Sequence, residues 1–324
     1  MNTYNWAILG CGDISNQLAK AMQKEGRKIY GIANRTYEKA AGFAQKYEIE
    51  KVYEDIQDIF TDDNVDIIYI ATPHNTHGQY LKEALSHGKH VLCEKAITLN
   101  SEELRQARML AEENHLILAE AMTVYHMPLF KKINELIQSG DLGGLRMIQA
   151  NFGSYKEYDM KNRFFNPALA GGALLDIGIY AISLIRWFMS ETPDQIVSQV
   201  KLAPSGVDEQ AGILLMNAVG EMAVVSLTLH AKQPKRCMAA FDKGYIEIYE
   251  YPRAERAVIT YTEDGRQEVI ECGKTEDALR YEIRDMEQAL AGTADEMYLD
   301  YTTDVMFIMT EIRKAWGLYY PEEK

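Results

Sequence analysis

Over the first third of the chain, short apolar runs alternate with stretches of helical periodicity. Trp6-Ala7-Ile8-Leu9 is an unbroken apolar run, followed by the turn Gly10-Cys11-Gly12-Asp13-Ile14-Ser15. Ile14, Leu18, Ala21 and Met22 then recur at helical spacing until Gly26, and a second apolar run covers residues 29–33. Residues 66–71 (DIIYIA), 90–93 and 116–119 read as further buried strands. Between them, 76–87 reads as a helix closed by Gly88, and 101–114 as a helix capped by Asn100 with Glu103 three positions on. Such alternation predicts a doubly wound parallel sheet with its ligand at the carboxyl ends of the strands.

Beyond about residue 122 the pattern changes. Helical stretches over 128–139 and 174–189 flank a strand-like 146–152. Ala223, Val225, Leu227 and Leu229 then alternate with Met222, Val224, Ser226 and Thr228, which is the period of a half-buried strand. Lys243-Gly244 and Asp264-Gly265 stand where hairpin turns are expected, and helical patterns return over 275–290 and 301–316. No repeat or low-complexity linker interrupts the chain. The expected fold is α/β: an N-terminal doubly wound parallel (Rossmann) sheet over 1–122, and an α+β domain over 123–324. The second domain should carry a mostly antiparallel open sheet with helices on one face.

A length of 324 residues suits two domains, and 47% hydrophobic with 25% charged residues is ordinary for a soluble globular protein. The net charge of −14 opposes binding to nucleic acid or an anionic membrane, and no run of Lys and Arg makes a basic patch. Residues 1–9 lead straight into the first strand without the parts of a signal peptide. No apolar stretch is expected to reach membrane-spanning length, so the expected location is the cytoplasm. Cys11, Cys93, Cys237 and Cys272 have neither CxxC nor Cys/His spacing, so disulfides and a metal are not expected.

The glycine turn carries the first chemistry. Residues without a bulky side chain let the backbone turn tightly and approach a pyrophosphate, while the helix behind aims its free N–H groups and positive dipole end at the anion. Gly10, Gly12, Asp13 and Ile14 are therefore the candidate cofactor residues, with Ser15 where glycine or alanine is usual. At the end of the second strand an Asp or Glu about 20 residues past the glycines would take a ribose 2′-hydroxyl, and an Arg a 2′-phosphate. The chain offers Asn34-Arg35-Thr36 there, and its first acid, Glu38, falls inside the next helix. NADP(H) is expected in preference to NAD(H).

Glu94 and Lys95 end the strand in the segment Gly88-Lys89-His90-Val91-Leu92-Cys93-Glu94-Lys95-Ala96, beside the cofactor crevice. A lysine there can hold a substrate oxygen or tune a neighbouring acid. With this segment and Gly171-Gly172-Ala173-Leu174-Leu175-Asp176-Ile177-Gly178-Ile179-Tyr180, the chain resembles the Gfo/Idh/MocA oxidoreductases. That family ends this strand in Glu-Lys-Pro and carries a glycine-led helix with Asp and, one turn later, His or Tyr. Thr72-Pro73-His74-Asn75, His77, Arg163-Phe164-Phe165-Asn166-Pro167 and Asn34-Arg35 extend the resemblance. They point toward the subgroup of dihydrodiol dehydrogenases and NADP-dependent D-xylose 1-dehydrogenases. The resemblance implies Lys95, Tyr180 and Asp176 as catalytic residues. It also implies Thr72, Pro73, His74, His77 and Glu94 as further cofactor neighbours.

The residues fit that implication. Asp176 and Tyr180 are four apart, so a helix places them on one face. A phenol with its ordinary pKa of about 10 is a poor base at neutral pH, and a nearby ammonium lowers that pKa. By resemblance Lys95 is that ammonium, and Tyr180 exchanges the hydroxyl proton as hydride moves. Asp176 has two open roles, holding a substrate hydroxyl or pairing with Lys95. On the residues alone, a packed Tyr180 and a surface Lys95 stand level with the chemical reading. Ala96 replaces the family's proline, which leaves the orientation of Lys95 open. Arg163 and Asn166 are further candidate substrate contacts.

The expected function is NADP(H)-linked hydride transfer at a hydroxyl/carbonyl carbon of a sugar, polyol or diol, in a cleft between the domains. The alternatives are a glycoside-cleaving hydrolase of the same architecture that keeps its cofactor, or a non-catalytic nucleotide-binding regulator. Retention of Lys95 and Tyr180 speaks against the regulator. The expected partners are a small sugar-like substrate and a second copy of the chain, as a homodimer or homotetramer, because the antiparallel sheets of this family pair face to face.

Overall fold

The computed structural model describes residues 4–294 and 297–324; residues 1–3, at the start of the N-terminal run, and 295–296 lie outside that description. The chain divides into two compact units, one comprising the chain up to Met122 with Leu279–Leu299, the other Thr123–Ala278 with Asp300–Lys324.

In the first unit six parallel strands, β1 (Trp6–Leu9), β2 (Ile29–Ala33), β3 (Lys51–Val52), β4 (Ile67–Ile70), β5 (His90–Glu94) and β6 (Leu118–Ala121), lie in the order β3-β2-β1-β4-β5-β6. β1 and β4 are buried along their whole length, as strands covered on both faces must be. Leu9 pairs with both Ala33 and Ile70, Ile70 with Cys93, and Glu94 with Ala121. The carboxyl ends therefore share one edge, and the strand order reverses between β1 and β4 on that edge. β6 begins two residues later than the apolar run suggests. His115 adopts a left-handed φ of 55° and the Leu116 N–H turns back to the Ala111 carbonyl at 2.8 Å, closing the preceding helix before the strand can start.

The division differs from a single break near residue 122. Leu279, Ile283, Met286 and Met297 bury themselves in one cluster with Trp6, Ile8, Leu18, Met22 and Ile29. Charges bind the same segment. Arg27 Nε donates to Glu287 at 2.7 Å, and Glu25, closing the helix Asp13–Lys24, accepts from Arg27, Arg280 and Arg284. A segment with a matching apolar stripe and complementary charges packs where it buries most, whatever its place in the chain.

The second unit holds eight strands, β7 (Leu145–Gly153), β8 (Gln195–Leu202), β9 (Asp208–Met216), β10 (Met222–Thr228), β11 (Gln233–Phe241), β12 (Gly244–Tyr249), β13 (Arg256–Tyr261) and β14 (Gln267–Glu271). Their order is β14-β13-β12-β11-β7-β10-β9-β8, with β7 and β10 parallel and the other neighbours antiparallel. The hairpins expected at Lys243-Gly244 and Asp264-Gly265 join β11 to β12 and β13 to β14. Pro167–Phe188 corrects one expectation, because it has the length and apolar character of a membrane span. It is a core element, with 83% of that window buried inside the protein. The expected helix over 174–189 is also wound in two ways, as a π turn over Leu174–Gly178 and as α-helix over Ile179–Phe188.

The Glu25 cluster gives a stability prediction. Burial pushes the Glu25 carboxyl up, but hydrogen bonds and charge from Arg284 and Arg280 outweigh it and hold the pKa at about 2, below the ordinary 4.5. That difference is worth about 3 kcal/mol. Because the folded value is the lower one, the contribution is present above about pH 4.5 and is lost as pH falls toward 2. Urea unfolding of Glu25→Gln should show a large deficit against the parent at pH 7 that shrinks by pH 3. An equal deficit at both pH values would mean that the contribution is not ionic.

Candidate functional site

Three strand ends build the nucleotide edge. Gly10 has a φ of +111°, and a Cβ there would stand 2.4 Å from the Ala71 carbonyl oxygen, so only glycine fits between β1 and β4. Gly12 is different. Its backbone is extended, no protein atom lies within 4 Å of where its Cβ would be, and no side chain caps the helix it begins. Asp13 and Ile14 form the first turn of that helix, whose N–H groups face outward without a side-chain acceptor. Ser15 is fully buried, and its hydroxyl finds no hydrogen-bond partner among the described residues. At the end of β2 the Asn34 amide donates to the Thr36 carbonyl at 3.0 Å, rounding the turn, and Arg35 is exposed with no ion pair among the described residues. The bare glycine approach, the uncapped helix and the unpaired cation fit a dinucleotide phosphate. Among the described residues no group of His, Cys, Asp or Glu converges as a metal site.

The corner after β5 is held by side chains from neighbouring strands. The Glu94 carboxylate accepts from the Tyr69 hydroxyl and, at 3.2 Å, from the Lys95 N–H. Burial and the Glu94 charge push the Tyr69 phenol well up, so it stays a donor. The Lys95–Ala96 peptide is cis. The His74 Nε2 lies 3.0 Å from the Lys95 carbonyl, and the Glu120 carboxylate accepts from the Ile97 N–H at 2.9 Å. Thr72 and Pro73 lead from β4 into a short turn in which the Thr76 hydroxyl donates to both. His77, expected beside the cofactor, is fully buried. Its Nδ1 faces the Ala96 carbonyl and its Nε2 the Thr72 carbonyl, each at 2.9 Å, so both nitrogens are engaged in tying the β4 end to the β5 end. Burial lowers its pKa against the pull of those carbonyls.

In the second unit the glycine pair Gly171-Gly172 opens the π turn. Asp176 is buried, and the Arg163 guanidinium reaches it at 3.6 Å while stacking 4.1 Å over the Phe164 ring. The structure thus joins two residues that the sequence offered separately. Tyr180 is half-buried, with its ring 6.1 Å from that of Phe152. Asn166, expected at the substrate, uses its carbonyl oxygen to accept from the Ala168 N–H at 3.0 Å, capping its own short turn. Sequence reasoning missed Tyr69, Glu120 and Asp208. Glu120 left a signal, since a charged residue inside the buried strand Leu118–Ala121 needs a buried partner.

A parallel sheet with a nucleotide-binding edge, joined to a large open sheet led by a glycine-started helix, defines a two-domain dinucleotide-dependent oxidoreductase. The chain belongs to the GFO/IDH/MocA oxidoreductases. The model of the oxidoreductase family with an NAD-binding Rossmann fold matches residues 4–122, and that of the GFO/IDH/MocA C-terminal domain matches residues 130–247. The chain is 29% identical over 331 residues to a trans-1,2-dihydrobenzene-1,2-diol dehydrogenase of Xenopus laevis, covering 98% of this chain and 99% of that one. It is also 29% identical over 332 residues to the scyllo-inositol 2-dehydrogenase (NADP(+)) IolU of Bacillus subtilis, with the same coverage. A levoglucosan dehydrogenase in complex with NADH and levoglucosan shares the fold, with a TM-score of 0.87 at 19% identity over 98% of each chain. A 3-ketoreductase of Actinomadura kijaniata with NADP and TDP-benzene does so with a TM-score of 0.86 at 20% identity, covering 97% of this chain and 98% of that one.

Proposed function

We propose that the chain is an NADP(H)-dependent dehydrogenase or reductase acting on a hydroxyl/carbonyl carbon of a sugar, polyol or diol. The observation that carries this reading is the shared edge on which Gly10, Arg35, Thr72 and Lys95 follow the ends of β1, β2, β4 and β5. Relatives named for a diol and for an inositol, each matched along nearly its whole length, support the substrate class.

A bound nicotinamide dinucleotide supplies the hydride acceptor or donor. Gly10 and Gly12 leave the backbone bare for the pyrophosphate, and Arg35 takes the 2′-phosphate. Tyr180 accepts the hydroxyl proton in oxidation and returns it in reduction. The Lys95 ammonium favours the phenolate that this requires. Asp176, held toward Arg163, positions a substrate hydroxyl. The protein works in the cytoplasm, and it pairs with a second copy through the open sheet face. There Val197, Leu214 and Val224 make one cross-strand row on β8, β9 and β10, with exposures of 64%, 38% and 41%.

Turnover with NADP should be screened on D-xylose, scyllo-inositol, levoglucosan and other aldoses and polyols. If none is turned over and the cofactor stays bound while glycosides are cleaved, the dehydrogenase reading is overturned. On the best substrate Tyr180→Phe should lower turnover about 100-fold, with NADPH affinity nearly unchanged. Lys95→Met should lose at least as much, and the double variant should be little worse than the poorer single one. Near-parental turnover in Tyr180→Phe would make Tyr180 a packing residue. Calorimetry should find NADP bound more tightly than NAD by the parent, and Arg35→Ala should erase most of that preference. Equal binding of both by the parent would remove Arg35 from its role. Light scattering should find a dimer or tetramer that Leu214→Lys shifts to monomer. A parent that is monomeric at micromolar concentration would exclude the sheet-face pairing.

A further inference from the structure

Asp208, fully buried at the start of β9, takes no part in the chemistry above. Its Oδ2 accepts the backbone N–H of Leu174, the first residue of the π turn, at 2.6 Å. Its Oδ1 has no hydrogen-bond partner among the described residues and lies against Gly172, where a Cβ would come within 2.1 Å of it. On the adjoining residue the Tyr320 hydroxyl donates to the Gly171 carbonyl at 2.7 Å. Tyr320 is itself fixed from the helix Leu299–Trp316, because Arg313 grips both carboxylate oxygens of Glu323 at 2.7 Å and Glu323 accepts from the Tyr320 N–H at 2.9 Å. The opening of the π turn is therefore held from two distant parts of the chain, with Asp208 accepting from Leu174 and Tyr320 donating to Gly171.

We propose that Asp208 and Tyr320 are positioning residues that set the π turn and so fix how Asp176 is disposed relative to Tyr180. The inference rests on the reading of Tyr180 as the proton-transferring group. A π turn carries one residue more than an α turn. Relaxation of Leu174–Gly178 to α winding would rotate the residues before Ile179 by about 100° against those after it. Asp176 lies before that point and Tyr180 after it. Without the Asp208 acceptor, the Leu174 N–H would also be left buried and unpaired.

The groups facing Asp208 are Arg313 and Tyr320, with Glu323 beyond them. Burial pushes the Asp208 carboxyl up to about 7 from 3.8, against the opposing pull of the Leu174 N–H and the Arg313 charge. The raised value means that the closed turn favours the protonated acid. Its contribution is full below pH 3.8 and is lost as pH rises through about 7.

The test is amide exchange over residues 173–180 with NADPH bound, with turnover followed on the best substrate of the screen. Asp208→Leu should raise exchange in that segment and lower kcat about tenfold or more, with NADPH affinity unchanged. Asp208→Asn keeps an acceptor and should restore most of both. It should also abolish the loosening of the segment that the parent shows between pH 6 and 8. Tyr320→Phe, which removes one hydroxyl, carries the test if Asp208→Leu does not fold, and it should raise exchange in the same segment. Parental exchange over 173–180 in Tyr320→Phe, or an Asp208→Asn variant that loosens with pH as the parent does, would overturn the inference. Near-parental turnover in Tyr180→Phe would instead sink the proton-transfer reading and leave the exchange results standing.

Discussion

The nucleotide edge depends on how closely β1 approaches β4. The Gly10 backbone passes so near the Ala71 carbonyl that any side chain would collide with it, and this contact brings the turn, the uncapped helix and the ends of the parallel strands onto one line. Once that line is set, the strand-end carbonyls of Thr72 and Ala96 need donors where no further strand supplies them. The buried His77 ring lies between them with one nitrogen 2.9 Å from each carbonyl, and as the neutral imidazole that burial favours it donates to one of the two. These two contacts link the corner after β5 to the end of β4. A buried imidazole that ties two backbones thus does for this corner what glycine does for the first.

The second unit solves a related problem with side chains far apart in sequence. The start of its core helix is buried, so its free N–H groups cannot be left to water. Asp208 from β9 accepts the Leu174 N–H, Tyr320 from the C-terminal segment donates to the Gly171 carbonyl beside it, and Gly172 is small enough to let the carboxylate in. The π winding lies directly behind this anchored start, over Leu174–Gly178. Gly178 tightens it further, since a Cβ there would stand 2.7 Å from a Leu227 methyl on β10.

How much of this was legible in the sequence follows from which forces act locally. The helix over Pro128–Ser139 and the strand Ile29–Ala33 emerged with their expected bounds because apolar period and punctuating residues lie within a few positions. The Asn100 cap with Glu103 was legible for the same reason, and the Asn100 side chain accepts from the Glu103 N–H at 2.9 Å. The migration of residues 279–299 to the first unit was not, because Glu25 and Arg280 meet across most of the chain. The expectation that no apolar stretch reaches membrane-spanning length missed Pro167–Phe188, whose apolar character serves burial in the core, since an apolar helix in a core and one in a bilayer share a composition. Of the candidate site residues, Gly10 was written in a local motif, whereas the linkage of Arg163 to Asp176 needed the loop's path.

The two units therefore encode their sites differently, with a consequence for how each can change. Around Gly10 the fit is between backbone atoms, so substitution is barred by steric exclusion, whatever the substrate. Around Asp176 the fit is between side chains, and Arg163 sits mostly exposed on a loop stacked over Phe164. The backbone of that loop is bonded to the glycine pair, with the Gly172 N–H donating to the Phe164 carbonyl at 2.9 Å and the Gly171 N–H to the Asn166 carbonyl at 3.0 Å, so its side chains rather than its path are what can change. A loop backbone fixed to the turn, carrying an exposed Arg163 side chain, leaves what faces Asp176 open to change while the turn itself stays in place.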